Sequence, residues 1–235
     1  MDPSSIDNLT AGISELDSGF GDGSKRLIVV SNRLPVTISK DAKGEYHFKM
    51  SSGGLVSALS GCKKYMSFTW IGWPGFYIPV KDRPIVDKRL AEEFSCQAVY
   101  LTDDVAERHY NGFSNSILWP LFHYHPGEMN FDEANWLAYK QANLKFARVV
   151  RNLLQDDDMV WVQDYHLMLM PAMLRNLIGG QHPDEEDYAE LERGVKEPEA
   201  IEKVEPDHAT VNGIKIGFFL HTPFPSSEIY RFVAF

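Results

Sequence analysis

Short runs of apolar, mostly β-branched residues recur along the chain and alternate with amphipathic stretches. Apolar runs without polar alternation are typical of strands that are covered on both faces. They predict strands over residues 26–31, 68–73, 96–101, 159–162 and 214–220. Because strand and helix alternate, we predict an α/β fold, a Rossmann-like and mostly parallel sheet with helices on both faces.

The stretches between these runs predict a hairpin, a loop and several helices. Loose alternation around Lys43-Gly44 predicts a hairpin over residues 36–50. The aromatic-rich residues 110–120 are predicted to form a loop. The longest predicted helix has Asn130 and Glu133 at capping-box spacing. Helical spacing of apolar residues predicts helices over 55–59, 87–94, 102–108, 130–154 and 167–174.

Composition and charge exclude one broad class of function. The chain has 235 residues, of which 44% are hydrophobic, and a formal net charge of −10. Residues 181–210 hold eleven acidic and three basic side chains, so most of the negative charge belongs to this insertion. The remainder is nearly neutral and has no basic patch, which argues against nucleic-acid binding.

The beginning of the chain and its two cysteines bear on location. Residues 1–24 are poor in large apolar side chains, which predicts a disordered tail ahead of one domain over residues 25–235. No run approaches the about 18 apolar residues of a membrane span, and the first basic residue comes too late for a signal peptide. Cys62 and Cys96 have neither disulfide-framework nor zinc spacing. We therefore expect a cytoplasmic protein without a membrane partner.

Polar side chains follow three of the predicted strands. Ser31-Asn32-Arg33 ends the first, Asp164-Tyr165-His166 follows the fourth, and His221-Thr222 follows the last. Ligands of open α/β sheets bind beyond the carboxyl ends of the strands, so these groups are expected to share one rim. Arg33 suits a phosphate, and Asp164 suits sugar hydroxyls or the role of a base. The alternative is that each polar end only marks where a strand meets water.

Two glycines and three large aromatic residues are further candidates for a binding site. Gly53-Gly54 at a helix N-terminus would offer bare backbone amides to an anion, although tight packing explains these glycines equally well. Trp73, Tyr110 and Trp119 lie in or beside predicted loops, where such residues form either pocket walls or core.

Absent or poorly spaced motifs argue against several other sites. The chain has no G-x-G-x-x-G after its first strand, no P-loop sequence and no G-x-S-x-G, which disfavours dinucleotide dehydrogenases, P-loop enzymes and α/β-hydrolases. His123 and His125 could share one face of a strand, but they have no third ligand at helpful spacing. Asp156-Asp157-Asp158 precedes its strand, and we interpret it as a solvated turn at the opposite edge. No metal site is expected.

Six sequence blocks, taken together and in this order, resemble the trehalose-6-phosphate synthase family. Members of that family are retaining glucosyltransferases with the GT-B architecture of two Rossmann-like domains. The match extends over residues 27–231 and is highly specific as a set. The blocks are VVSNRLP (29–35), GGL (53–55), WIGW (70–73), YNGFSN with LWP (110–120), DYHL (164–167) and GFFLHTPFP (217–225).

The resemblance implies the transfer of glucose from the co-substrate UDP-glucose to glucose 6-phosphate, without metal or cofactor. It implies that Arg33, Tyr110 and Trp119 hold the phosphate and ring of the acceptor, with Trp73 nearby. Asp164 and His221 would serve the reaction itself, Asp164 by positioning acceptor hydroxyls and His221 by contacting the donor glucose. Gly53 and Gly54 would offer backbone groups to the donor.

The sequence departs from the family pattern in three places. Gln163 stands where the family usually has histidine, and we expect this to change only hydrogen bonds behind the site. The acidic insertion 181–210 is longer than usual. The second, nucleotide-sugar domain of the family is not in the sequence, and residues 232–235 differ from the usual continuation. We therefore expect residues 25–235 to be the acceptor-side domain, inactive by itself.

The family resemblance also raises an alternative function and possible partners. The alternative is a non-catalytic subunit that binds sugar phosphate and regulates or scaffolds a trehalose-making complex. A homo-oligomer, or a complex with trehalose-phosphate phosphatase subunits, would fit either the enzyme or the non-catalytic subunit.

Overall fold

A computed structural model describes residues 26–52, 68–181 and 210–224 of the chain. The predicted tail 1–24, the helix over 55–59 with Gly53 and Gly54, nearly all of the acidic insertion and residues 232–235 lie outside the described residues. The strands are β1 (Leu27–Arg33), β2 (Val36–Lys40), β3 (Tyr46–Met50), β4 (Phe68–Trp73), β5 (Cys96–Ala98), β6 (Met159–Gln163) and β7 (Lys215–Phe219).

Five of these strands form one parallel sheet in the order β5-β4-β1-β6-β7, with β1 in the centre. Val30 of β1 lies opposite Ile71 of β4 and Val162 of β6. The α/β fold and the parallel sheet are therefore confirmed. Strand β5 is shorter than predicted, because the chain leaves the ladder after the Val99 amide donates to the Gly72 carbonyl at 2.9 Å. The predicted hairpin is also confirmed, since β2 and β3 pair antiparallel.

Alternate residues of β1 enter two hydrophobic cores on opposite faces of the sheet. Ile28 and Val30 face a core formed with the helix after β5, the long helix before β6 and the helix after β6. Leu27 and Val29 face a core with the β2–β3 hairpin and the first helix. Burying each such side chain stabilises the fold by about 1.5–3 kcal/mol, which explains the near absence of polar residues in β1 before Ser31.

The helices begin where capping groups and prolines allow. They are α1 (Arg83–Phe94), α2 (Asp103–Glu107), α3 (Trp119–Phe122), α4 (Glu133–Leu153) and α5 (Met170–Ile178). Helix α1 starts four residues earlier than predicted, with a proline in its first turn, where proline fits a helix. The predicted capping box at Asn130 is wrong. The carboxylate of Asp132 caps α4 instead and accepts from the Ala134 amide at 2.8 Å.

A π-helix over Arg108–Leu118 stands where we predicted an aromatic loop, and α3 continues it directly. Its buried residues Phe113 and Ile117 pack beside Tyr139 of α4 in a third hydrophobic cluster. Gly112 allows the close approach, because a Cβ there would lie 2.5 Å from the Asn135 side chain. The loop prediction was wrong because these residues are held in helical form by their contacts with α4. No local sequence signal marks that form. Single π turns are frequent at functional sites.

Two smaller predictions meet different outcomes. Asp156 and Asp157 are exposed as predicted, but Asp158 is 2% exposed and is not solvated. Its carboxylate accepts from the Arg26 guanidinium at 2.7 Å and ties the start of β1 to the start of β6, at the edge opposite the polar strand ends. His123 and His125 lie in the turn after α3 and not in a strand.

Within the described part of the chain, no helix has the length and apolar character needed to cross a membrane.

Candidate functional site

A cavity of about 480 Å³ opens beyond the carboxyl ends of β1, β6 and β7. The predicted shared rim is present, because Arg33, Asp164 and His221 all line this cavity together with Tyr110 of the π-helix. The cavity has the size usual for small-molecule sites. Its other lining residues are Ser31, Asn32, Leu34, Pro35, Val36, Thr37, Ser51, Trp70, Gln163 and His166.

Arg33 is held at the rim by an irregularity in the sheet. The register between β1 and β4 shifts between Val30 and Arg33, so β1 carries one extra residue against β4. The guanidinium of Arg33 lies over the ring of Trp73, 4.9 Å from its centroid, and against the backbone of Gly75. A Cβ at Gly75 would overlap the guanidinium, and its φ of +103° also favours glycine. Trp73 therefore supports Arg33 and is absent from the cavity wall.

Asp164 has a backbone conformation that is rare for any residue except glycine. Its φ is 71° and its ψ is 168°, a region that costs about 1–3 kcal/mol for a residue with a side chain. Three hydrogen bonds hold it there. The Asp164 amide donates to the Phe219 carbonyl at 2.7 Å, and its carboxylate accepts from the Tyr165 amide at 2.9 Å. The Asp164 carbonyl accepts from the Leu167 amide at 3.1 Å.

This strain predicts an inverted order of stability at position 164. We expect Asp164→Gly to be more stable than Asp164→Ala by about 1 kcal/mol, because glycine removes the strain and both variants lose the same carboxylate. At the exposed helical position Glu92 in α1 the order is expected to be normal, with alanine more stable by about 1 kcal/mol. Urea denaturation of the four variants measures both differences. Equal stability of the two position-164 variants would contradict the strain.

A stack of aromatic rings forms the wall between the cavity and the core. The Tyr110 ring lies parallel to His166 at 5.3 Å, and Tyr165 stacks on the same imidazole at 4.2 Å. Burial, followed by the charge of His221, lowers the pKa of His166 to about 4. Burial and the charge of Asp164 raise the pKa of the Tyr165 hydroxyl above its ordinary value. His166 and Tyr165 are therefore uncharged at neutral pH, and Arg33 and Asp164 are the formally charged side chains of the described cavity lining.

The remaining predicted site residues are not in the cavity wall that the structure describes. Trp119 is 46% exposed, lies 3.8 Å from the His123 ring and contacts Tyr165 at 6.0 Å between centroids. Among the described residues, Trp119 contacts the aromatic stack through Tyr165, and its role in binding the acceptor stays a prediction. Gly53 and Gly54 lie outside the described residues, and their roles stay predictions.

The sequence placed Asn32 and His166 among the polar strand ends of the rim but missed Gln163, and all three residues line the cavity. Asn32, Gln163 and His166 each have a buried side-chain polar atom without a hydrogen-bond partner. The expectation that Gln163 would act only behind the site is wrong, because Gln163 is one of the residues that line the cavity. The signal for Gln163 was its position directly before Asp164 in the sequence.

One group of potential metal ligands lies on the hairpin, at the end remote from the cavity. Asp41, Glu45 and His47 bring their ligand atoms within 4.8 Å of one another. The Asp41 carboxylate already accepts from the Lys43 and Glu45 amides at 2.9 Å, as in an ordinary turn. These groups are largely exposed, and they add nothing to the cavity. That the reaction needs neither metal nor cofactor stays a prediction.

Comparison with known proteins gives a consistent set of similarities. A family model described as Glycosyltransferase family 20 matches residues 25–235. The α,α-trehalose-phosphate synthase (UDP-forming) of Schizosaccharomyces pombe is 56% identical over 214 residues. The match covers 91% of this chain and 36% of the relative, so the chain spans about a third of the length of the relative.

Solved structures of similar proteins share the fold. The α,α-trehalose-phosphate synthase (UDP-forming) from Burkholderia vietnamiensis has a TM-score of 0.59 and 29% identity, with coverage of 90% of this chain and 36% of that one. The one from Burkholderia xenovorans, in complex with glucose-6-phosphate, has a TM-score of 0.55 and 25% identity. The match covers 89% of this chain and 36% of the Burkholderia xenovorans chain.

Proposed function

We propose, from the premise that this chain belongs to glycosyltransferase family 20, that it forms the acceptor-binding part of a UDP-forming α,α-trehalose-phosphate synthase. The reaction would transfer glucose from UDP-glucose to glucose 6-phosphate with retention at the anomeric carbon. The observation that carries the proposal is the meeting of Arg33 and Asp164 at one cavity of sugar size. The glucose-6-phosphate complex of the Burkholderia xenovorans relative supports the choice of acceptor.

Arg33 and Asp164 would divide the acceptor between them. The planar guanidinium of Arg33 can donate two parallel, charge-assisted hydrogen bonds to a phosphate. The face of Trp73 and the backbone of Gly75 already fix its orientation, so little side-chain freedom is lost on binding. The carboxylate of Asp164 accepts hydrogen bonds from hydroxyls and so fixes the sugar ring relative to its phosphate. We assign Asp164 to positioning, which by itself lowers a reaction barrier substantially.

His221 lies on the β7 side of the same cavity and is proposed to contact the donor glucose. Arg33 is the one permanent cation among the described residues of the lining. A UDP diphosphate needs more positive charge than this, so we place the donor nucleotide on residues outside the described cavity. Turnover then requires both the acceptor cavity and the residues that bind the donor nucleotide. This chain alone is therefore proposed to be inactive. Assembly with itself or with trehalose-phosphate phosphatase subunits belongs to the same proposal on the family resemblance alone. A cytoplasmic location belongs to it on the spacing of the two cysteines and the absence of a signal-peptide pattern in the given sequence.

Calorimetric titration of the 235-residue chain tests the proposal. We expect glucose 6-phosphate to bind more tightly than glucose, and Arg33→Ala to weaken glucose 6-phosphate by about tenfold to a hundredfold, because a charged hydrogen-bonding group is lost. Arg33→Ala should leave glucose nearly unaffected. Lys88→Ala, which removes an exposed cation from α1, is the matched control and should bind as the wild type does. Equal binding of glucose and glucose 6-phosphate by the wild type would refute the proposal.

A further inference from the structure

Four polar atoms at the cavity have no hydrogen-bond partner within the described structure. They are Oδ1 of Asn32, Oε1 and Nε2 of Gln163, and Nε2 of His166. Asn32 is 7% exposed and Gln163 is 2% exposed, so bulk water does not satisfy their side chains. Buried polar groups without a partner are costly, and native proteins hold few of them. Their concentration at one cavity indicates that something bound there completes their hydrogen bonds.

Two of these residues directly precede the charged pair at the ends of neighbouring strands. Asn32 precedes Arg33 at the end of β1, and Gln163 precedes Asp164 at the end of β6, the neighbouring strand. The nearby Ser31 hydroxyl does not serve Gln163. It accepts from Trp70 Nε1 at 2.7 Å and donates to the Arg33 carbonyl at 2.7 Å. The Gln163 amide therefore lies buried beside the cavity without a hydrogen-bond partner among the described residues.

The chemistry of three of these atoms, those of Asn32 and Gln163, selects the kind of group that fits them. Oδ1 of Asn32 and Oε1 of Gln163 only accept hydrogen bonds, and Nε2 of Gln163 only donates. A phosphate dianion has no proton to give to the two oxygens. A hydroxyl donates one hydrogen bond and accepts others, so neighbouring hydroxyls of a sugar ring satisfy both kinds of atom.

We propose that the Gln163 amide, assisted by Asn32 and His166, recognises ring hydroxyls of the bound sugar phosphate and that Gln163 determines specificity in this cavity. This inference rests on the proposed function and extends it from the phosphate to the hydroxyl pattern of the sugar. A site built to hydrogen-bond a hydroxyl discriminates strongly against an analogue that lacks it, because its own polar atoms then stay unpaired.

The test compares two buried glutamines. Gln163→Met removes the amide and keeps the length of the side chain. The matched control is Gln141→Met, because Gln141 of α4 is 3% exposed and also has an unpartnered Oε1, but lies outside the cavity lining. Binding of glucose 6-phosphate, 2-deoxyglucose 6-phosphate and 3-deoxyglucose 6-phosphate is measured by calorimetry, and the melting temperature without ligand is measured for each protein.

We expect the wild type to bind at least one deoxy analogue tenfold or more weakly than glucose 6-phosphate. Gln163→Met should weaken glucose 6-phosphate at least tenfold, reduce the discrimination against that analogue, and raise the melting temperature of the free protein. Gln141→Met should also melt at a higher temperature but keep the affinity and discrimination of the wild type. If Gln163→Met does not fold, Gln163→Leu takes its place with the same expectations.

Three results would overturn the inference in distinguishable ways. Unchanged binding by the Gln163 variant would mean that water alone satisfies the amide, while the proposed function would stand. A lowered melting temperature, with discrimination between the sugar phosphates retained, would make Gln163 a structural residue. Failure of the wild type to bind glucose 6-phosphate would remove the proposed function together with the inference.

Discussion

Acidifying this chain from pH 7 to pH 4.5 is expected to lower its free energy of unfolding by about 3 kcal/mol through two histidines. His109 accounts for about 2 kcal/mol of this loss, since it is the more deeply buried of the pair. His166, which keeps some contact with the cavity, accounts for the rest. The effect is large compared with the stability of an ordinary domain, about 5–15 kcal/mol.

The cause is the position of His109 behind the aromatic wall of the cavity. Its side chain is 1% exposed, its Nε2 donates to the His166 carbonyl at 2.9 Å, and its ring stacks on Tyr139 at 5.4 Å. Burial lowers its pKa to about 4, although the hydrogen bond to His166 opposes the shift. In the unfolded chain the pKa of a histidine is about 6.5. Between these values the unfolded state binds a proton that the folded state does not, so stability falls as the pH falls through this window.

Urea denaturation at several pH values between 7 and 4.5 measures the slope. His109→Gln keeps a donor for the His166 carbonyl and removes the ionisable ring, so its stability should fall by about 2 kcal/mol less than that of the wild type. His125→Gln changes an exposed histidine and leaves His109 in place, so the wild-type slope should remain. An unaltered slope in His109→Gln would show that other groups cause the acid sensitivity.

The sheet could be predicted from the sequence because its strands are short, apolar and covered on both faces. The run before Ser31 has no polar interruption, and burial on both sides of β1 is the physical reason. The rim of polar strand ends followed from the same argument, because parallel strands place their carboxyl ends together. The roles that the family resemblance gives to Trp119, Gly53 and Gly54 are not tested by the described structure.

Features that depend on tertiary contacts escaped prediction. No local signal marks the π-helix, whose form depends on the packing of Phe113 against α4. The buried state of Asp158 depends on Arg26, which is distant in sequence. The place of Gln163 in the cavity lining was missed because the residue was interpreted only as a departure from the family pattern, and which residues adjoin the cavity depends on the packing of several strands. Each of these features needs a partner that a local pattern does not contain.

The displaced position of Arg33 depends on a glycine in the neighbouring strand. Gly72 of β4 lies where β1 carries its extra residue, between the pairs Val30–Ile71 and Arg33–Trp73. A Cβ at Gly72 would lie 2.6 Å from the Leu34 nitrogen and 2.7 Å from the Arg33 carbonyl carbon. Both contacts are with backbone atoms. These atoms cannot move aside without breaking the hydrogen bond that the Leu34 amide donates to the Trp73 carbonyl at 3.0 Å. The side chain of residue 72 thus decides whether the end of β1 can approach β4.

We expect Gly72→Ala to lower the free energy of unfolding by about 3 kcal/mol, as overpacking against a rigid neighbour does. In the molecules that still fold, the end of β1 should be pushed outwards and Arg33 displaced with it. The affinity for glucose 6-phosphate should therefore fall. Gly217→Ala is the matched control, because Gly217 lies in β7 of the same sheet and, among the described residues, its Cβ would meet only the Val160 carbonyl oxygen at 4.0 Å. There alanine should be neutral or stabilise by about 0.5–1 kcal/mol, since it restricts the unfolded chain.

Urea denaturation and calorimetry on the wild type and both glycine variants measure the two effects together. If Gly72→Ala unfolds within about 0.5 kcal/mol of the wild type, as an ordinary surface substitution would, the close approach of β1 and β4 is not as described. If the variant is destabilised but still binds glucose 6-phosphate with wild-type affinity, the extra residue in β1 supports the sheet without positioning Arg33. Loss of both stability and affinity would mean that the lack of a side chain at position 72, outside the cavity lining, sets the position of Arg33.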